Sequence, residues 1–84
     1  MVSFEELKIA VGNLDDEVIP GMIDELVKAG GDSPQKALEA CQAGMDIVGA
    51  KYESGEYFVA DLIFAGEIMN DAAAVLKPLL AGRG

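Results

Sequence analysis

The sequence predicts an all-α fold, an antiparallel four-helix bundle. Apolar residues recur at alternating steps of three and four in four separate segments, and each such run is one stripe of a helix. The segments are divided by breaks of a few residues centred on Gly12-Asn13, Gly30-Gly31 and Ser54-Gly55. Connections that short favour antiparallel neighbours. No segment alternates in and out as a strand would.

The first helix starts at Ser3, whose hydroxyl can cap free amides, with Glu6 placed to complete a capping box. Phe4, Leu7, Val11 and Leu14 form its stripe, and Gly12-Asn13 should end it. A second helix is expected after Asp15 or Asp16, where acidic residues suit the positive end of the helix dipole. Its inner face is Ile19, Met22, Leu26 and Val27, with Pro20 near its start and Gly30-Gly31 as its stop.

Asp32-Ser33-Pro34 signals a third start, with Ser33 as cap and Pro34 as first helical residue. Leu38, Cys41, Met45, Val48 and Tyr52 then make a bundle seam. Gly55 is placed to take the left-handed conformation after the last turn. The final helix runs from about Phe58 past Leu76, on a stripe of Phe58, Leu62, Ala65, Met69, Ala72, Leu76 and Leu79. A second stripe, Val59, Ile63 and Gly66, lies beside it, so this helix is expected to be the most buried element. Residues 1–80 thus read as one helical domain, and 81–84 as the start of a linker or a frayed tail.

Composition narrows the function. The 84 residues carry 15 acidic and 6 basic side chains, a net charge of −9, which repels phosphate backbones and argues against nucleic-acid binding. There is no histidine, and so no imidazole base, ligand or nucleophile partner. A single cysteine, Cys41, allows no internal disulfide and reads as a buried structural thiol in a reducing compartment. No run approaches the roughly 20 apolar residues of a membrane span, and the first residues lack a signal-peptide pattern. The expectation is a cytoplasmic module, non-catalytic by itself, without metal. Asp15-Asp16-Glu17 lacks the spacing of a calcium loop and reads as a solvated helix start.

Two resemblances bear on function. Asp32-Ser33 at a helix start, in a small acidic helical chain, resembles an acyl carrier protein. That resemblance would make Ser33 the site of phosphopantetheine attachment. Pro34 and the long final helix depart from the carrier pattern.

The second is far more extensive. Residues 45–63 read MDIVGxKYExGEYFVxDLI, and Leu76 to Leu80 read LxPLL. This closely resembles the helical cap module of cobalamin-dependent methyltransferase corrinoid proteins, and the matching region of cobalamin-dependent methionine synthase. The resemblance implies a four-helix cap over the upper face of the corrin ring in a one-carbon methyl-transfer system. It places Tyr52, Val59 and Leu62 against the upper axial ligand as an apolar lid. Tyr52 stands where the family has phenylalanine, and Phe58-Val59-Ala60 where it has Phe-Leu-Pro, so the final helix loses a proline from its start.

The family holds cobalamin chiefly through a following Rossmann-like domain with a DxHxxG motif, which this chain lacks. The implied partners are therefore that domain and a cognate methyltransferase. The chain is expected to be half of a corrinoid protein, either a fragment cut at the Ala81–Gly84 linker or a natural stand-alone cap, and to bind cobalamin only weakly alone. A homodimer through the apolar cap face is expected when that face lacks its partner.

Overall fold

The computed structural model describes residues 2–81 and contains four helices: α1 (Phe4–Gly12), α2 (Ile19–Val27), α3 (Ser33–Glu53) and α4 (Val59–Ala81). They run up, down, up and down, so consecutive helices are antiparallel as the short connections predict. The tightest contact, however, lies between α1 and α3, which run parallel. The Lys8 carbonyl and Val11 meet α3 at Gly44, Gly12 meets Ile47, and Asn13 meets Lys51. Small residues permit this approach: an added Cβ on Gly44 would lie 2.5 Å from Val11 Cβ and 2.8 Å from the Lys8 carbonyl oxygen. The core lies between this pair and the other two helices, with Leu7, Val11, Ile23, Cys41, Val48 and Leu76 enclosed.

Local chemistry explains the ends. Ser3 caps α1 by accepting the Glu6 N–H at 3.1 Å. Glu6 closes the box on the Ser3 hydroxyl, at 3.3 Å, rather than on its backbone amide. At the other end the Leu14 N–H donates to the Val11 carbonyl and the Asp15 N–H to the Ala10 carbonyl, which is a Schellman closure. The left-handed residue in it is Leu14, at φ 58°. The sequence reading put Leu14 on the stripe of α1; it instead lies beyond the helix and covers the core from the turn. Burying its side chain offsets the roughly 1–2 kcal/mol cost of that conformation in a branched residue.

Other boundaries shift for identifiable reasons. The chain turns through residues 16–18, and α2 begins only at Ile19, with no side-chain cap and no acid in its first turn. Its fully buried residues are Ile19, Ile23 and Leu26, while Met22 and Val27 are half-buried. Steps of 4 and 3 fit a helix as well as 3 and 4 do, and packing against α4 selects Ile23. Asp32, not Ser33, is the residue that precedes α3. Ser33 is the first helical residue, buried, with its hydroxyl 3.4 Å from the Val27 carbonyl it donates to. Gly30, Gly31 and Gly55 take positive φ, as their stop positions predict.

The expectation that α4 is the most buried helix fails. Only Ala65, Ile68, Ala72 and Leu76 of its 23 residues are buried, against seven in α3. Its first turns project past the short α1, so nothing covers their outer side. The helix continues through Pro78 to Ala81. Proline there removes the amide that would reach the Ala74 carbonyl and crowds that carbonyl with its ring, both on the exposed side and one turn from the helix end. Residues 82–84 of the expected linker lie outside the described residues.

Cys41 is fully enclosed, as its place on the seam predicts. Burial removes water from the thiolate and pushes the thiol from 9.0 up to about 11. The folded chain keeps this proton where the unfolded chain has lost it. The resulting stability is whole below pH 9 and disappears as pH rises through about 11, on the order of 3 kcal/mol in all. Urea midpoints taken on both sides of that window should fall further in the native chain than in Cys41→Ala. Equal falls would show that the thiol is not responsible.

Candidate functional site

The α3–α4 turn gathers the residues that the resemblance singles out. Tyr52 ends the exposed edge of α3, Val59 opens α4, and Leu62 follows one turn later. A five-residue connection, 54–58, folds α4 back along α3 and puts all three at one end of the bundle. Gly55, at φ 87°, makes the reversal. The Gly55 N–H donates to the Tyr52 carbonyl and the Glu56 N–H to the Lys51 carbonyl, a second Schellman closure. In place of a proline ring, Asp61 fixes the start of α4: its carboxylate accepts the Phe58 N–H at 2.9 Å.

Four apolar side chains at this end are turned to solvent, beside the exposed Glu53, Ser54 and Glu56. Phe58 is 73% exposed, Ile63 63%, Val59 58% and Tyr52 43%. Leu62, one turn into α4, is half-buried. Tyr52 was expected on the α3 seam; it lies instead one turn past Val48, the last buried residue of α3, where α1 has already ended. The stripe Val59, Ile63, Gly66 is legible in the sequence as a line beside the core stripe. Its exposure is not legible, because that depends on where the other helices stop.

A polar cluster lies beside the turn. The Tyr57 hydroxyl donates to the Gly12 carbonyl at 2.8 Å. The Lys51 ammonium donates to Asn13 Oδ1 at 3.0 Å, lies 3.7 Å from Glu56 and sits 5.2 Å from the centre of the Tyr57 ring. Sequence reasoning missed this cluster, since its partners stand 38 and 45 positions apart and no periodicity links them.

Two other places carry candidate chemistry. A crevice of about 100 Å³ between α2 and α4 is lined by Ile19, Pro20, Ile23, Ile68 and Val75, far too small for a corrin ring. Ser33, the carrier-type attachment residue, is only 5% exposed and its hydroxyl points back into the chain. That geometry hides the oxygen from a transferase and weighs against the carrier reading.

The exposed end presents aliphatic and aromatic carbon to water. A surface of this kind gains by being covered, because burying it removes apolar area from water.

Comparison with known proteins agrees with this architecture. Residues 3–77 match the family model described as the B12 binding domain. Trimethylamine corrinoid protein 1 of Methanosarcina acetivorans is 32% identical over 99% of this chain, and monomethylamine corrinoid protein 1 of Methanosarcina barkeri 31% over 92%. The crystal structure of a cobalamin-binding protein from Desulfitobacterium hafniense DCB-2 superposes with a TM-score of 0.85 at 41% identity, over 92% of this chain. The chain spans 40% and 36% of the two Methanosarcina proteins and 38% of the crystallised one. Among the described residues, no helix is long and apolar enough to cross a membrane. Matched over nearly its whole length in sequence and in helical architecture, the chain belongs to the B12 binding domain family.

Proposed function

We propose that this chain is the helical cap of a corrinoid protein and shields the upper face of methylcobalamin in a methyl-transfer system. The observation that carries the reading is the solvent-exposed apolar end formed by Tyr52, Phe58, Val59 and Ile63, with Leu62 beneath. Methylcobalamin supplies a transferable methyl group on cobalt. The chain's own part would be exclusion of water: Val59, Leu62 and Tyr52 would cover that face, and the Tyr52 hydroxyl, on a residue 43% exposed, can be satisfied by solvent. The names of the Methanosarcina relatives support the methyl-transfer setting. A Rossmann-like domain holds the cofactor, and a methyltransferase takes the place of the cap when the methyl group moves. By itself the chain holds cobalamin only weakly.

Light cleaves the methyl–cobalt bond, and a closed lid keeps the two fragments together long enough to rejoin. The photolysis yield therefore reports how well the upper face is covered. With the chain seated on its methylcobalamin-loaded partner domain, the yield should fall severalfold relative to the uncapped domain. Val59→Asp should restore most of it, because a carboxylate at this position must stay hydrated. A yield indifferent to both the chain and the substitution would refute the cap reading.

A further inference from the structure

We propose that Tyr57 and Lys51 are positioning residues, which fasten the α3–α4 turn to the end of α1 and so fix where Tyr52, Val59 and Leu62 face. The proposal rests on the cap reading above. Its first support is the accounting of carbonyls at the end of α1. The last carbonyls of a helix have no partner inside it. Here Ile9 is taken by the Asn13 N–H, Ala10 by the Asp15 N–H and Val11 by the Leu14 N–H. The Gly12 carbonyl, next in line, receives the Tyr57 hydroxyl, so the turn supplies a bond that α1 itself leaves open.

Lys51 is the second fastening. It reaches from α3 to Asn13, the cap residue of α1, while its charge lies near Glu56 within the turn and above the Tyr57 ring. The two residues bracket the connection. Lys51 directly precedes Tyr52, and Tyr57 stands two residues before Val59. Between them, residues 53–56 are exposed and make no core contact that would hold the turn. Phe58, next along, is 73% exposed and contributes none either.

The Gly55, Glu56 and Tyr57 amides close the turn onto the end of α3, and its fastening to α1 comes from the Tyr57 and Lys51 side chains. A turn held in this way carries the lid residues as part of a rigid unit with α1 and α3.

The test uses the protein that carries this chain together with its methylcobalamin-loaded domain. Tyr57→Phe and Lys51→Met are compared with Val59→Asp by photolysis yield and by amide exchange along the chain. Tyr57→Phe should speed exchange at residues 55–59 at least fivefold while that at Val48 and Leu76 changes less than twofold. It should also raise the photolysis yield at least twofold. Lys51→Met, which keeps the aliphatic stem, should do the same to a smaller degree and serves if Tyr57→Phe does not fold. A raised yield in Val59→Asp with no change in yield for either fastening variant would overturn the proposal and leave the cap reading standing. A yield unmoved by Val59→Asp would overturn the cap reading. In that event faster exchange confined to the turn still supports the fastening, and unchanged exchange overturns it as well.

Discussion

Gly44→Ala should lower the melting temperature, whereas the same change at Gly49 or Gly66 should raise it. All three glycines lie inside helices, where alanine is favoured by roughly 1 kcal/mol. At Gly49 and Gly66 a new Cβ meets nothing within 4 Å, so that gain is realised. At Gly44 it meets Val11 Cβ at 2.5 Å and the Lys8 carbonyl at 2.8 Å. Neither obstacle is the end of a flexible side chain, so α1 must move away from α3. Overpacking of this kind costs about 1–3 kcal/mol, and Gly44→Val should sit at or above the top of that range. For a domain of this size each kcal/mol shifts the midpoint by about 4–8 °C. Thermal denaturation of the set checks the signs. A Gly44→Ala protein as stable as Gly49→Ala would mean that the α1–α3 contact is looser than described.

Self-association is the second large effect. Expressed without a partner domain, the chain should form a two-fold dimer through the turn end, because Phe58, Val59 and Ile63 otherwise stay in water. The net charge of −9 opposes association, so the dimer should strengthen as salt screens it. The structure separates two substitutions that the sequence treats alike. Val59 is exposed and Leu62 half-buried, so Val59→Asp should weaken dimerisation at least tenfold with helical content intact. Leu62→Asp should weaken the dimer and also destabilise the monomer. Sedimentation at several salt concentrations measures the first effect, and circular dichroism the second. A monomer under every condition, or unfolding by Val59→Asp, would show that the end is not a free apolar surface.

The number, order and approximate lengths of the helices were legible because stripes such as Leu7–Val11 and Cys41–Met45–Val48 depend only on local periodicity. The glycine stops were legible for the same reason: Gly30, Gly31 and Gly55 take conformations that a side chain resists. Relations between helices were not. Nothing in the sequence order says that α1 packs parallel to α3, and that contact decides why Gly12 and Gly44 must be small. Ser33 shows the same limit. Its type suits a cap, yet the geometry of the Gly30-Gly31 turn leaves Asp32 outside the helix and draws the Ser33 hydroxyl inward. Of the candidate site, the motif located the end of the bundle. The exposure of Val59 and the bonds from Lys51 and Tyr57 to α1 follow from where that helix terminates.

The parallel pairing of α1 with α3 also dictates an order of assembly. Val11 and Gly12 rest on Gly44 and Ile47, more than thirty positions further along. A chain emerging from the ribosome therefore carries α1 and α2 with no surface to complete them until the middle of α3 has been made. The α3–α4 hairpin, closed by its short connection, can form quickly once both arms exist, while docking α1 requires closing a much longer loop. During that interval the acidic residues at 5, 6, 15, 16, 17, 24 and 25 keep a half-built apolar face dispersed in water.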